Sequence, residues 1–578
     1  MKKLLSLTLA SAMALSMLAS CSSSSDTGST GGTTTGTTTG TGTTTGTGDA
    51  LNLSVCIASE PMSIDPALNS SVDGAIMVQH VFEGLFKWAD SGSSIADGIT
   101  AAELVEGQVS SYEKVQNDDG TVTYTFTLRD DIFWSDGQEV VAGDFVYAWQ
   151  RLADDDTAAD YCYMIDMVVG YDAVANGEAD PSTLSVAAPD DKTFVVDIIN
   201  DSAYFLEICA FPAAFPVRQD IIEAHGDQWT FDPANYIGNG PFVMSDWTHN
   251  ASITMLPSET YYDVDSLTLE SLTFVLMDDN NAMLSAYNTG ELQMIQDAPV
   301  DEIPNLLASG ELDILDYIGT YYVSYQVENA PFDDWRVRKA FTLAMDTVYI
   351  AEKVAQTGQA PAAGYVPAGI YDAAGASGSD FRTTGGDYWD IPVDAETYAA
   401  NLEEANRLLD EAGYEDRSTF PVVEYLYNTN DNHKAIGEAL QNQWSEGLGV
   451  TVTLNNQDWA VFLESRKQGD YQIARNGWIA DYNDPLSFLD MWLTGGGNND
   501  AQYASAEYDN YIAQAKATSD PEERMSYMHQ AENLIMGQDW VLAPIYFYTQ
   551  TMMLQDNLQG MYYTPLGYYF FNNITEVG

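Results

Sequence analysis

Basic residues are scarce in this 578-residue chain: 21 Lys and Arg stand against 86 Asp and Glu, a formal charge of −65 with the five histidines neutral. Phosphate polymers and anionic membrane surfaces are gripped by Lys and Arg, so a surface of this sign excludes nucleic acid as a partner. The histidines, His80, His225, His249, His433 and His529, are scattered without metal-ligand spacing. No GxSxG elbow, HExxH, P-loop or strand-borne GxGxxG is present. Asp481, Asn483 and Asp484 lack the Gly and terminal Glu of a calcium loop. Paired carboxylates abound, but among so many acids their proximity is expected by chance. The chain reads as a non-enzyme with no cofactor and no metal.

Cysteine is scarce as well. Beyond Cys21 there are Cys56, Cys162 and Cys209, an odd count that implies no disulfide framework. They read chiefly as small buried side chains, with a Cys162–Cys209 bridge as the alternative. Long apolar runs are confined to Leu4–Leu18, behind Lys2 and Lys3. Fifteen residues are short for a bilayer span and fit a secretory signal, residues 1–20. Leu18-Ala19-Ser20-Cys21 resembles the lipobox of bacterial lipoproteins, which implies diacylation of Cys21. From Ser22 to Gly48 every residue except Asp26 is Gly, Ser or Thr. Such a stretch cannot offset its ordering entropy and reads as a flexible tether, 21–48, of roughly 30 Å mean reach.

The remainder is apolar enough to fold, with 45% hydrophobic and 12% aromatic residues overall, and long enough for about three to five packing units. Val122, Tyr124, Phe126 and Leu128 alternate as a half-buried strand. Helical spacing runs from Val337 through Phe341, Met345 and Ala351 to Val354, with Gly358 as a stop. A second helix starts near Ala395 and is capped by Gly413; a third covers about 433–448, followed by a strand through Val450, Val452 and Leu454. The class is α/β with interleaved elements.

Specific blocks then appear: Ala58-Ser59-Glu60-Pro61-Met62-Ser63-Ile64-Asp65-Pro66, Phe82-Glu83-Gly84-Leu85, Leu128-Arg129, Trp134-Ser135-Asp136-Gly137, Ala142 to Arg151, Asn239-Gly240-Pro241, Gly290-Glu291, Pro331-Phe332-Asp333-Asp334, Arg336-Val337-Arg338 and Ala474 to Pro485. In this order they resemble the bacterial oligopeptide-binding proteins, extracellular receptors that feed peptide ABC importers. The resemblance implies a two-lobed periplasmic-binding-protein clamp with an extra small domain and a discontinuous first lobe. It places lobe I at 49–82, 236–326 and 549–578, an accessory domain at 83–235 and lobe II at 327–548. The implied partners are an oligopeptide and the ABC permease subunits, with the membrane reached through the lipid anchor alone and the protein a monomer.

The same resemblance assigns the site. Asp481 matches the carboxylate that pairs with a ligand α-ammonium. Gly477, Trp478 and Ile479 form an edge for the peptide main chain, Ser70, Ser71 and Val72 the opposing edge, and Trp459 and Trp478 wall the side-chain pockets. Arg475 and His433, the latter five residues beyond Asn428, match carboxylate-binding positions, although in so acidic a chain Arg475 reads equally as a salt-bridge partner. A third such position, a lysine, is Ala355 here, and the family's cleft cysteine is Ile479. A non-peptide solute on the same fold, or a surface peptide-sensing or adhesion lipoprotein, are the alternative readings. The overall charge should also enrich cationic peptides near the cleft, an effect that salt screens beyond about 8–10 Å.

Overall fold

The computed structural model describes residues 51–577 except Ala58; the signal peptide, Cys21 and the tether expected at 1–48 lie outside the described residues. Alternation is realised where it is cleanest. Val122, Tyr124, Phe126 and Leu128 are all buried in the strand Val122–Leu128, second in an antiparallel sheet with Val109–Gln116, Thr193–Ile198 and Val186–Asp190.

One long sheet positions everything else. Its strands in chain order are β1 (Leu51–Cys56), β2 (Phe242–Thr248), β3 (Ser252–Pro257), β4 (Leu269–Val275), β5 (Met294–Ile295), β6 (Asp313–Tyr325), β7 (Val423–Asn428), β8 (Val452–Gln457), β9 (Ile473–Ile479) and β10 (Leu542–Leu554). Across the sheet they run β8, β7, β9, β6, β10, β5, β1, β4, β3, β2, with Ala360–Pro361 paired beside β10. Near each end the neighbours are parallel: β7 with β8 and β9, and β1 with β4 and β5. Parallel neighbours need crossovers, supplied at one end by helices α4 (Asp431–Leu448) and α5 (Trp459–Lys467).

The 13-residue strands β6 and β10 join the two ends. Thr320–Ser324 pairs with Leu542–Phe547, Asp313–Asp316 pairs with Thr549–Met552, and the ladder is irregular between Asp316 and Thr320. The chain's last part returns to an early one: Met561–Tyr563 pairs with Ile99–Ala101, in a sheet with Phe86–Ala96 and Tyr569–Phe570. That sheet therefore joins residues 86–106, expected in the accessory domain, to 561–570, expected in lobe I.

Helix α3 (Ala395–Glu411) starts on Asp394, which accepts the Thr397 N–H at 2.8 Å, and Gly413 takes φ 98° just past its end. The helix expected across 337–354 is broken. Helix α2 (Trp335–Leu343) stops, Asp346 leaves helical geometry and accepts the Tyr349 N–H at 2.9 Å, and the chain restarts at Thr347. Asp competes for backbone donors and favours caps, which overrides the apolar spacing. The restarted helix widens into a π-helical turn at Ile350–Ala355 and closes on Gln356 at φ 64°, two residues before Gly358.

Cys162 and Cys209 are not bridged to each other. Cys209 is fully buried, which pushes its thiol up, and Cys162 accepts the Tyr171 hydroxyl at 3.2 Å. His80 packs among Phe242, Phe274, Phe570 and Phe571, and burial pushes its imidazole down to about 4.

Three buried carboxylates are held by guanidinium forks. Asp65 accepts from Arg151 at 2.9 and 2.7 Å and from the Trp229 indole at 2.8 Å. Asp484 accepts from Arg524 at 2.7 and 2.9 Å, and Glu532 from Arg382 at 2.6 and 3.0 Å. Asp65 and Arg151 are thus motif residues engaged with each other, and Asp484 is engaged with Arg524, rather than with the cleft.

Candidate ligand-binding cleft

Strand β9 carries the centre of the site. On one side Ile473 to Ile479 pairs residue by residue with β6; on the other, Ile473 and Ala474 alone pair with β7. The edge from Arg475 to Ile479 is therefore open to a further strand, the feature that β-augmentation uses. It borders a cavity of about 340 Å³, within the size range of small-ligand sites. A side chain at Gly477 would meet the Tyr548 hydroxyl at 2.3 Å, so only glycine lets this strand and that tyrosine share the wall.

The cavity gathers every predicted ligand-binding residue: Asp481, Trp478, Gly477, Ile479, Arg475, Trp459, Asn428, His433, Ser70, Ser71 and Val72 all line it, as does Ala355. One expectation changes locally. Ser71 is extended, but Val72 opens helix α1 (Val72–Val81), because Ser71 at the cap and Asp73 in the first turn are helix-starting residues.

Asp481 follows the end of β9. Its carboxylate accepts from the Tyr161 hydroxyl at 3.2 Å and lies 3.4 Å from the Ser487 hydroxyl, which also takes the Asp481 N–H at 2.7 Å. The Trp478 indole donates to the Ser487 carbonyl at 2.6 Å, locking the turn that aims Asp481. No cation pairs with it among the described residues. Burial pushes its carboxyl up to about 8, opposed by the hydrogen bonds from Tyr161 and Ser487.

Arg475 is likewise without a carboxylate partner among the described residues, which removes the salt-bridge reading. Its guanidinium sits 5.4 Å from the Tyr321 ring centre and 5.9 Å from that of Trp459, with the Tyr548 hydroxyl at 3.5 Å. His433 lies nearby, its Nδ1 3.3 Å from the Tyr321 hydroxyl. Burial, then the Arg475 charge, holds His433 well below the usual imidazole range, so it is neutral at pH 7. Arg475 is thus a buried cation flanked by neutral rings and a neutral imidazole, chemistry that can accept an anion.

Six aspartates and three cations line the cavity. Lys467 is engaged with Asp160 at 2.6 Å and Arg466 with Asp500 at 3.2 Å. Asp73, Asp278, Asp297 and Asp481 have no ion pair among the described residues. Sequence reasoning missed Tyr161, Asp73, Asp297 and Tyr548. None of the four lies within a recognised block.

A cleft flanked by an open strand edge, at the middle of a sheet whose two ends are joined by two long strands, defines a solute-binding protein. The family of bacterial extracellular solute-binding proteins, family 5, matches its middle region to residues 103–500, and the chain belongs to that family. The oligopeptide-binding protein OppA of Bacillus subtilis (strain 168) is 33% identical over 527 residues, 90% of this chain and 92% of its own. The structure of Haemophilus influenzae OppA in complex with RPPGFSPFR superposes with a TM-score of 0.82 at 30% identity, covering 92% of this chain and all of that one. The murein tripeptide-binding protein MppA of Escherichia coli gives 0.82 in one structure (28% identity, 92% and 99% coverage) and 0.57 in its unliganded open form (29%, 91% and 96%). Those two structures are of one protein, and this chain is more similar to the first than to the unliganded open form.

Proposed function

We propose that the protein is a membrane-tethered receptor that binds oligopeptides in a closing cleft and delivers them to an ABC importer. The observation that carries this is the juxtaposition of an uncompensated carboxylate, Asp481, with an open strand edge at Arg475–Ile479. An α-ammonium supplies the missing cation, a peptide main chain supplies the missing strand, and Arg475 with His433 receives a carboxylate. The relatives named for oligopeptides support the same ligand class. Lobe I would comprise 49–82, 236–326 and 549–578, lobe II 327–548 and the accessory domain 83–235. The irregular ladder at Asp316–Thr320 would be part of the hinge, since hinges fall where few contacts resist a change of backbone angle.

Calorimetric titration tests the reading: peptides with a free α-amine bind and raise the melting temperature, and their N-acetylated forms bind at least about tenfold more weakly. Equal binding of both forms would refute the ammonium site. For the anchor, Cys21→Ala is expected to move the protein from the membrane fraction to the soluble one, and unchanged retention would refute it.

A further inference from the structure

The charge balance of the cleft goes beyond its fitness for a peptide main chain, while resting on the peptide reading. A peptide with free termini brings one cation and one anion, matched by Asp481 and Arg475. Asp73, Asp278 and Asp297 remain, all lining the same cavity and none of them ion-paired among the described residues. A buried carboxylate without a cation is costly, so an extra positive charge on the ligand is the direct remedy.

The three are not equivalent. Asp278 is half-buried. Asp297, also half-buried, already accepts the Asn430 side-chain amide at 3.2 Å and feels the Arg475 charge. Asp73 is 9% exposed, and its Oδ2 is buried without a hydrogen-bond partner. It sits in the first turn of α1, where the helix dipole favours an anion. It lies two residues from Ser71 on the expected main-chain edge and beside the Trp459 side chain from the facing wall. Burial raises its carboxyl, with hydrogen bonds from Ser71 and Trp459 opposing. An indole next to a carboxylate that has no cation is a receptacle for a Lys or Arg: the apolar stem packs on the ring and the charged head reaches the acid.

We propose that the preferred ligands are peptides carrying a Lys or Arg side chain, and that Asp73 is the residue that receives it, with Trp459 packing on its stem. This is a short-range contact in a buried site. It differs from a long-range field of the whole protein, which salt screens.

The test is calorimetric titration of the purified protein with tri-, tetra- and penta-alanine and with single Lys or Glu substitutions at each position. At one position Lys should tighten binding at least about tenfold over the alanine parent, and the gain should persist between about 0.05 and 0.5 M salt. Asp73→Asn should abolish that gain while leaving the alanine parent within twofold, which also shows that the variant is folded; Asp73→Ala serves as the second variant. Asp297→Asn and Asp278→Asn should keep the gain. The proposal is overturned if no Lys position gains, if the gain disappears in high salt, if Asp73→Asn weakens parent and Lys peptide alike, or if the gain is lost in Asp297→Asn instead. Binding of none of these peptides would overturn the peptide reading itself, a result distinct from alanine peptides binding without a Lys preference.

Discussion

Two regions of this acidic molecule bury carboxylates in opposite ways. In the packed body, Asp65, Asp484 and Glu532 each meet the two-pronged guanidinium of Arg151, Arg524 or Arg382. In the cleft, Asp481 and Asp73 are also buried, each 9% exposed, and have no cation among the described residues. A chain with 21 basic residues spends some of them on buried pairs and still leaves the cleft short. On the proposed function, that difference separates acids neutralised within the packed body from acids left for a ligand.

The sharpest way to break this comparison is to remove a cation from the packed body. Arg382→Ala strands Glu532, whose side chain is 0% exposed, and is expected to cost about 3–5 kcal/mol of stability, read by denaturant unfolding. A loss below about 1 kcal/mol would mean that the two regions do not differ as described. Asp481→Ala makes the opposite case. Peptide affinity should fall about 10- to 150-fold, the worth of a charged hydrogen bond, while the ligand-free protein keeps or gains stability because a lone buried acid is gone.

The third prediction concerns pH. Burial raises the Asp481 carboxyl to about 8 from an ordinary 3.8, so closing the empty cleft takes up a proton between those values. Closure without ligand is therefore most favourable below about pH 4 and loses that contribution as pH rises toward 8. Tyr161, Tyr163 and Tyr568 around it are held well above the ordinary phenol range by burial and the Asp481 charge and stay neutral throughout. Small-angle scattering of ligand-free protein should show a larger radius of gyration at pH 8 than at pH 5, and Asp481→Asn should flatten that change. The smallest effect is expected for Tyr161→Phe, which removes one neutral donor to Asp481: a loss of about two- to tenfold in peptide affinity, with stability nearly unchanged.

Much of the cleft was legible because its residues sit in one block. Arg475, Gly477, Trp478, Ile479 and Asp481 fall within seven residues of β9 and its exit turn, so local sequence carries their geometry. Asp73 and Tyr161 were not legible, since nothing local marks a residue that meets Trp459 or Asp481 hundreds of positions away. The same holds for elements. Strand Val122–Leu128 and helix Ala395–Glu411 follow their apolar periods, whereas the helix after Asp334 is interrupted by a capping choice at Asp346 that periodicity does not record. The two-residue alternation cannot say which edge of β9 stays open; that depends on how far β7 extends beside it.

The claim that the cleft's uncompensated acids exist to receive a peptide is tested most directly by native mass spectrometry of the purified protein and of Asp481→Ala, scored for co-purifying peptides. Wild type should carry peptides and the variant should be largely empty. A wild type without peptides, or a variant that carries them equally well, would contradict it.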